Sequence, residues 1–363
     1  TPIVACTVDT VLGLVQNNRR GIFAWPAFAG AAFVFDEIHA YDDRLFGALL
    51  RFLRDLPGLP VLLMTASLPA PRELALRNTL EARGIELKPI SGPKELEELP
   101  RYHKLHTGDE LDEVQRVHAA GGKVLWVCNT VNRVMDAADR AAARGLKPLI
   151  YHSRFKYEHR VQRHKAVIDA FRGVGPAVAI CSQVAEMSLD LSADLLVTDL
   201  APVPALIQRL GRLNRKAKAG DTTKPFIVVE PDKHLPYTPN DLDVAREWLA
   251  KLSAESINQF HLADAWEQSA ENPPDLVPSA WLDGGPATTV TELREASPGI
   301  SVLMESDLLT VLAAPKQIGR FVLPMPPPPR SLDWRSWKRE RGIPVAPTGT
   351  VDYDEMRGAK WTT

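Results

Sequence analysis

The chain has 363 residues, 45% of them hydrophobic, with 43 basic and 45 acidic side chains and a net charge of −2. This length is enough for two or three domains with full cores. The near-neutral charge excludes a global field that would attract nucleic acid, so any such contact has to be local.

Apolar runs and cysteines also limit the class of protein. The longest nearly apolar run, residues 22–35, is shorter than the ~20 residues that span a bilayer, and no leader sequence is present, so we expect no transmembrane segment. The three cysteines, Cys6, Cys128 and Cys181, are odd in number and lack Cys-x-x-Cys spacing. They predict a reducing cytoplasm, no zinc site and three core thiols.

The chain opens with an apolar segment followed by a polar turn. Residues 2–6 predict a strand, and the Thr-Val-Asp-Thr turn after it could cap a helix that begins at Val11. A helix start can also hold an anion, so Thr7 and Asp9 fit a capping role and a phosphate contact equally well. Because the chain opens at Thr1, without Met and within an apparent fold element, we expect a longer protein.

A buried strand over residues 31–35 leads into Asp-Glu-Ile-His-Ala-Tyr-Asp at residues 36–42. Ligands bind at the carboxyl edge of open parallel sheets. At such an edge Asp36 can hold a magnesium ion through water while Glu37 orients the attacking water. A solvated acidic loop is the alternative, although the residues after the pair make the pattern more specific than Asp-Glu alone.

The first lobe ends in a second strand and a charged helix. Residues 60–64 predict the strand, which leads into Thr-Ala-Ser at 65–67, where two small hydroxyls commonly cap a turn. Residues 72–83 predict the helix. Gly-Pro with an acidic run at 92–98 predicts a lobe boundary near residue 99.

The second lobe alternates strands and helices, which predicts a doubly wound parallel sheet. The expected elements are strands at 124–128, 148–152, 177–181 and 194–199 and helices at 131–144 and 157–173. Asn129, and Ser153 with Arg154, follow strands at the carboxyl edge. There they could lie at the lobe interface, or they could cap helices.

A basic helix is predicted after the last of these strands. Residues 205–212 have a helical pattern, and Gln208, Arg212 and Arg215, at spacings of four and three, share a face. Paired guanidiniums suit phosphate oxygens during phosphoryl transfer. A solvated basic face is the alternative, but Gly211 inside a helix costs about 1 kcal/mol against Ala, which such a face would hardly call for.

These motifs carry a family resemblance. Gln-Arg-x-Gly-Arg-x-x-Arg at 208–215 resembles the sixth motif of superfamily 2 helicases, and the stretch 181–215 resembles their motifs V and VI. Asp-Glu-x-His-Ala-Tyr-Asp, together with Glu-x-Ser-Leu-Asp at 186–190, is similar to the CRISPR-associated helicase-nuclease of type I interference, over residues 1–230. The resemblance implies an ATP-driven 3′-to-5′ translocase on single-stranded DNA, recruited by an RNA-guided surveillance complex. It also implies two RecA-like lobes, the first incomplete, and a C-terminal accessory domain.

The resemblance assigns roles to individual residues, with ATP and magnesium as cofactors. The roles are catalysis by Asp36, Glu37, Arg212 and Arg215; nucleotide binding by Gln208, Arg209 and Asp190; DNA contact by Thr7, Asp9, Asn129, Ser153 and Arg154; and coupling by His39, Thr65 and Ser67. Asp36 would hold magnesium through water. ATP would lie between the lobes, with the acids on one side and the arginines on the other.

Two features of the family are missing from these residues. No Gly-x-x-x-x-Gly-Lys-Ser/Thr loop occurs, so we expect ATP hydrolysis only in an intact protein that carries this loop upstream. No His-Asp dipeptide occurs and the nine histidines do not cluster, so a nuclease domain or subunit is expected from elsewhere.

The last part of the chain has a different composition. After lobes at 1–99 and 100–230, we expect a helical accessory region at 231–325 and a Pro-rich spacer with a Trp/Arg-rich segment at 326–363. The interleaved aromatics and cations at 334–341 fit DNA contact, an interface anchor or a snorkelling surface strip. The alternative functions are a general superfamily 2 RNA or DNA helicase of the Asp-Glu-x-His type, and a non-enzymatic docking fragment.

Overall fold

The computed structural model describes residues 3–65, 68–252, 255–267, 274–279, 282–284, 293 and 299–362. In these residues the helices are α1 (Val8–Leu12), α2 (Arg19–Phe28), α3 (Asp43–Asp55), α4 (Ala70–Glu81), α5 (Lys94–Glu97), α6 (Glu110–Ala119), α7 (Val131–Ala143), α8 (Tyr157–Arg172), α9 (Val184–Ser188), α10 (Val203–Leu210), α11 (Pro239–Lys251), α12 (Gln259–Glu267) and α13 (Leu308–Ala313). The strands are β1 (Phe33–Phe35), β2 (Val61–Leu63), β3 (Tyr102–Lys104), β4 (Lys123–Val127), β5 (Leu149–Tyr151), β6 (Ala177–Cys181), β7 (Leu195–Asp199), β8 (Lys224–Val229), β9 (Ile300–Met304), β10 (Leu323–Met325), β11 (Arg339–Glu340), β12 (Ile343–Ala346), β13 (Val351–Asp354) and β14 (Gly358–Trp361). None of the described helices is both long enough and apolar enough to cross a membrane.

The chain divides into two units, and each unit is built from two separate stretches of the sequence. The first unit contains residues 1–98 and 260–296, and the second contains residues 99–259 and 297–363. The sequence grouped 231–325 as one helical region, whereas its middle part falls in the first unit and its last part includes β9 and β10.

The core of the first unit is built between a short parallel sheet and α3. β1 pairs with β2 in parallel, with Phe33 opposite Val61. The Asp42 side chain caps α3 by accepting from the Leu45 N–H at 2.7 Å. Phe52 of α3 then packs edge-on against Phe33 and Phe35, with ring centres 5.2 and 5.5 Å apart. Burying a side chain of this size contributes roughly 1.5–3 kcal/mol, so these contacts fix the strand that leads to Asp36.

The returning segment of the first unit packs directly on α3. A Cβ at Gly47 would lie 2.3 Å from the carbonyl oxygen of Asp275, so the two backbones touch. The Ser279 hydroxyl donates to the carbonyl of Val15 at 2.5 Å, and Arg51 donates to Asp283. These contacts explain why residues 260–296 belong with the first unit.

Two predictions for the amino-terminal residues are wrong. The predicted strand at 2–6 is not formed in residues 3–7, because Ile3 and Val4 are 85% and 73% exposed and no described strand pairs with them. Cys6 is exposed, whereas Cys128 and Cys181 are buried as predicted. An apolar run becomes a strand only where a neighbour satisfies its backbone groups.

The second unit contains a six-stranded parallel sheet in the order β3-β8-β7-β4-β6-β5. Its central strands are continuous apolar runs, as expected when both faces of a parallel sheet are covered. β6 has the predicted bounds, β7 differs from its prediction by one residue at its start, and β4 and β5 differ by one residue at each end. The predicted α/β class with a parallel sheet is confirmed.

The C-terminal part of the second unit is rich in strands. A four-stranded sheet has the order β10-β9-β12-β11, and β13 pairs with β14 as an antiparallel hairpin. Pro326–Pro329 follows β10 without regular structure. The guanidiniums of Arg335 and Arg339 lie 5.0 and 5.9 Å from the ring centre of Trp334, so this ring interacts with cations of its own segment.

Candidate functional site

Asp36 and Glu37 follow β1 at the carboxyl edge of the first unit's sheet. Asp36 is exposed, and its Oδ1 accepts the backbone N–H of Glu37 at 2.9 Å. Glu37 has φ +55° and ψ +40°, a left-handed conformation that non-glycine residues seldom adopt outside functional or turn positions. This backbone bend directs the two adjacent carboxylates differently.

A buried histidine joins Glu37 to the end of the next strand. His39 is 1% exposed, its Nε2 lies 3.3 Å from Oε2 of Glu37, and its Nδ1 lies 3.1 Å from Oγ1 of Thr65. Because a carboxylate can only accept, Nε2 carries the proton and the Thr65 hydroxyl donates to Nδ1. The edge of Trp266 packs near the imidazole, with ring centres 6.5 Å apart. Glu37, His39 and Thr65 therefore form one connected chain.

Burial lowers the pKa of His39 to about 4; the charge of Arg72 acts in the same direction and that of Asp36 opposes it. His39 is therefore neutral near pH 7, which preserves the donor at Nε2 and the acceptor at Nδ1. Ser67, the other predicted coupling residue, lies outside the described residues.

Stability should decrease as the pH is lowered from about 6.5 to about 4. The unfolded chain takes up the His39 proton near pH 6.5 and the folded chain only near pH 4, so the contribution is complete above 6.5 and is lost on acidification. The two values differ by an amount worth about 3 kcal/mol. We expect His39→Gln to flatten the pH dependence of the unfolding free energy, measured by urea titration, while the exposed His106→Gln leaves it unchanged. Equal slopes in the two variants would contradict this account.

The donor set at Asp36 suits magnesium held through water. Carboxylate oxygens are the ligands that Mg²⁺ prefers, and it commonly binds through one or two carboxylates, waters and substrate phosphates. Among the described residues no group of three or more His, Cys, Asp or Glu side chains is arranged to hold a metal ion directly. A magnesium ion here would therefore depend on water and phosphate for most of its ligands.

The arginines of the second unit do not share a helix face, so that prediction is wrong. α10 ends at Leu210 and Gly211 is its C-cap, so this glycine is not inside a helix. The chain then pairs with Ala193, two residues before β7: the Ala193 N–H donates to the Arg212 carbonyl and the Asn214 N–H donates to the Ala193 carbonyl. Asn214, with φ +48°, turns the chain before Arg215.

Arg212 and Arg215 have different surroundings. Arg212 is partly exposed and donates to the main-chain carbonyls of Ala185, at 3.4 Å, and Glu186, at 2.5 Å. Arg215 is exposed, and its Nε lies 3.4 Å from Oδ1 of Asp190. The structure therefore brings together two of the predicted residues, Arg215 and Asp190.

Arg209 is fully buried, which contradicts its predicted contact with nucleotide. Its guanidinium donates to the Glu186 carboxylate at 2.9 Å and to the Thr198 hydroxyl at 2.8 Å. It also donates to the Asp199 carbonyl at 3.0 Å and to Asn129 Oδ1 at 3.0 Å. A side chain without exposed surface cannot contact a ligand, so Arg209 here joins α9, β7 and α10.

Asn129 is also buried, which contradicts its predicted DNA contact. It is 1% exposed, and its side chain donates to the Leu200 carbonyl at 2.7 Å while accepting from Arg209. The neighbouring Thr130 caps α7 by accepting the Arg133 N–H at 3.3 Å. Thr130 therefore caps the helix, and Asn129 links buried groups of neighbouring elements.

The other predicted residues lie at the surface. Thr7 is exposed at the N-cap of α1 without a side-chain capping bond, and Asp9 is partly exposed in the first turn. Ser153 and Arg154 are partly exposed between β5 and α8, as is Gln208 on α10. Lys156 is the N-cap of α8, so neither Ser153 nor Arg154 has the alternative capping role.

The charged residues that surround the buried Asn129 and Arg209 were not identified from the sequence. Arg133 makes a two-pronged ion pair with Asp199, both bonds 2.7 Å long, at the end of β7. Burial raises the pKa of Glu186, while the charge of Arg209 opposes that rise. The sequence signal that could have indicated them is the polar pair Thr198 and Asp199, which ends the otherwise apolar strand β7.

Comparisons with known proteins show which sequences this chain resembles. The sequence model of the family described as CRISPR-associated nuclease/helicase Cas3, C-terminal, matches residues 120–218. A Cas3 nuclease/helicase of Myxococcus xanthus is 49% identical over 99% of this chain and 49% of its own length. The Cas3 endonuclease/helicase of Thermus thermophilus is 28% identical over 66% of this chain and 33% of its own length.

Solved structures show the same fold. The T. fusca Cas3-AMPPNP structure matches 98% of this chain and 56% of its own chain, with 19% identity and a TM-score of 0.72. A chain of a CRISPR RNA-guided surveillance complex, pre-nicking, matches 97% of this chain and 59% of its own, with 18% identity and a TM-score of 0.66. The predicted RecA-like α/β fold is confirmed. The chain spans about half the length of the Myxococcus relative. Its sequence and fold are similar to those of Cas3 CRISPR-associated nuclease/helicases, and these matches support a Cas3 helicase fragment.

Proposed function

We propose that the intact protein is an ATP-dependent helicase that moves 3′ to 5′ on single-stranded DNA during type I CRISPR interference. The observation that carries this proposal is the connected chain from Glu37 through His39 to Thr65. It joins a carboxylate suited to orienting water to a hydroxyl beyond the next strand. Such a link lets the nucleotide state reach the DNA grip, which a translocating motor requires. The nuclease/helicase names of the relatives support the same activity.

ATP and its magnesium ion, when bound, supply the phosphoryl group and its electrostatic activation. Asp36 would hold the metal ion through water and Glu37 would orient the attacking water. Arg212 and Arg215 would neutralise the charge that develops on the phosphate oxygens, because guanidinium forks match them in shape. The name Cas3-AMPPNP of the matching T. fusca structure supports a nucleotide cofactor.

Two further residues complete the proposed nucleotide contacts. Gln208, partly exposed on α10, holds the nucleotide. Asp190 contacts the ribose or transmits its state to the DNA site, and its carboxylate already lies beside Arg215. Arg209 contributes as a positioning residue, since it holds the segment from which Arg212 projects.

The proposed DNA contacts are Thr7 and Asp9 in the first unit and Ser153 and Arg154 in the second. All four are at least partly exposed. A surveillance complex is the proposed recruiting partner, which the matching chain from such a complex supports. A nuclease domain or subunit outside these residues would degrade the unwound strand.

The proposal is tested by comparing ATP hydrolysis of the intact protein without nucleic acid, with single-stranded DNA, and with RNA of the same sequence. We expect DNA to stimulate hydrolysis more than RNA does. Glu37→Gln, which keeps the size of the side chain and removes the carboxylate, serves as the control for contaminating ATPase. Stronger stimulation by RNA would identify an RNA helicase instead, and no stimulation by either would identify a docking protein.

A further inference from the structure

The C-terminal hairpin, β13 and β14, lies against the loop between β5 and α8 within the second unit. This β5–α8 loop comprises residues 152–156. The Ala359 N–H donates to the carbonyl of Arg154 at 2.8 Å, and His152 Nε2 donates to the carbonyl of Arg357 at 3.0 Å. The Arg154 N–H donates to His152 Nδ1 at 3.1 Å, so the imidazole proton lies on Nε2. The hairpin and the loop are thus joined by one main-chain hydrogen bond and by one from the His152 imidazole to a main-chain carbonyl.

Gly358 makes this close approach possible. Its φ is +77°, and an added Cβ would lie 2.5 Å from Cε1 of His152 and 2.7 Å from the carbonyl oxygen of Arg154. A side chain at this position would separate the hairpin from the loop. Gly349 has a similar φ of +85°, but an added Cβ there would meet no atom within 4 Å. The two glycines therefore differ in whether they touch the loop, not in backbone conformation.

Tyr353 fixes the other end of the loop. Its hydroxyl accepts the Lys156 N–H at 3.0 Å and lies 2.7 Å from Nδ1 of His159. Lys156 is the N-cap of α8 and has no side-chain capping bond of its own, so the hairpin supplies a partner at this helix start. The Lys156 ammonium also lies 4.9 Å from the centre of the Tyr353 ring.

A further ion pair attaches the tip of the hairpin to the helix before the loop. Arg357 donates to both carboxylate oxygens of Asp139 on α7, at 2.8 and 2.9 Å. Between these attachments lie Ser153 and Arg154, both partly exposed. The Arg154 guanidinium donates to Asn132 Oδ1 at 3.0 Å, so the arginine is held at both its backbone and its side chain.

We propose that the C-terminal hairpin is a positioning element for DNA binding, which holds the β5–α8 loop so that Ser153 and Arg154 meet a phosphate of single-stranded DNA. The inference rests on the DNA contact proposed above for this loop. Tyr353 and Gly358 are positioning residues, because they act through the loop and do not touch DNA. A cation that is already held in place loses less conformational freedom on binding, so releasing the loop weakens binding without removing a charge.

The test measures the affinity of the intact protein for a labelled single-stranded oligonucleotide by fluorescence anisotropy at several salt concentrations. Arg154→Ala should raise Kd about tenfold and lower the slope of log Kd against log salt by about 0.7, the value for one phosphate contact on a single strand. Gly358→Ala should raise Kd by a similar factor and leave the slope near the parent's value, because Arg154 keeps its charge, and Tyr353→Phe should raise Kd less. Gly349→Ala, the matched control, should bind as the parent does.

The variants also separate a failure of this inference from a failure of the proposed DNA contact. If Arg154→Ala binds as the parent does, the loop does not contact DNA and both proposals fall. If Arg154→Ala weakens binding while Gly358→Ala and Tyr353→Phe match Gly349→Ala, only the positioning role falls. In the Arg154→Ala background the hairpin substitutions should add little, because they act through that residue. Full additivity would overturn the inference. Tyr353→Phe keeps the aromatic ring and leaves Gly358 unchanged, so this variant remains informative if Gly358→Ala unfolds.

Discussion

Replacing Arg212 with alanine should lower the DNA-stimulated ATP hydrolysis of the intact protein by a factor of about 10³ or more. Its guanidinium is partly exposed and held by main-chain carbonyls of α9, so the fork can reach a phosphate. Loss of a cation that neutralises charge in the transition state reduces the turnover number more than nucleotide binding. DNA affinity should remain close to that of the parent.

Two control variants make the result specific to the guanidinium. Arg212→Lys keeps the charge and loses the planar fork, so it should recover only part of the activity. Arg246→Ala removes an exposed arginine that pairs with Glu230 and Asp243, and it should turn over normally. Steady-state hydrolysis with saturating DNA is the measurement. Normal turnover by Arg212→Ala would end the assignment of a catalytic role to this residue.

Arg209→Met should lower the free energy of unfolding by about 3–5 kcal/mol, the effect of removing one partner from a buried ion pair. The substitution leaves the Glu186 carboxylate without its counter-charge in surroundings that already raise its pKa by burial. It also removes the guanidinium that donates hydrogen bonds to Asn129, Thr198 and the Asp199 carbonyl. Urea titration followed by circular dichroism measures the loss.

A second substitution tests the cause of that loss. With Glu186→Leu added, the carboxylate that lost its counter-charge is removed as well, so the double variant should be more stable than Arg209→Met alone. The deficit of Arg209→Met should also shrink as the pH falls, because a group with a raised folded-state pKa stabilises the fold when protonated. A double variant that is less stable by the full sum of the two single effects would show that the pair does not act as a unit.

Four of the six strands in the second unit's sheet, β4 to β7, could be predicted because they are continuous apolar runs separated by polar turns, whereas β3 and β8 were not predicted. β6 at Ala177–Cys181 has the predicted bounds for this reason. The predicted strand at residues 2–6 has the same apolar character, but strand formation depends on a pairing neighbour, which local sequence does not specify.

The candidate site was predictable in its residues more than in its geometry. Asp36 and Glu37 follow a strand, as their position after an apolar run implies, but the left-handed backbone at Glu37 has no sequence signature. Helical spacing placed Arg212 and Arg215 on one face, and it failed because α10 stops at the C-cap Gly211. Periodicity describes a helix interior and gives little information about its end.

Burial was the property that motif matching could not supply. Arg209 and Arg212 belong to the same eight-residue run, yet one is fully buried and the other partly exposed. Which arginine turns inward depends on Glu186 and Thr198, which lie outside α10. A motif therefore identifies residues that matter without separating those that hold the fold from those that reach a ligand.

The distribution of the cysteines provides a natural labelling position. Burial raises the pKa of the Cys128 and Cys181 thiols, and thiolates are the species that react with maleimides. Cys6 is exposed and adjoins Thr7. A maleimide fluorophore should consequently attach at Cys6 alone, and its emission could be followed as oligonucleotides are added, without introducing a cysteine or removing one.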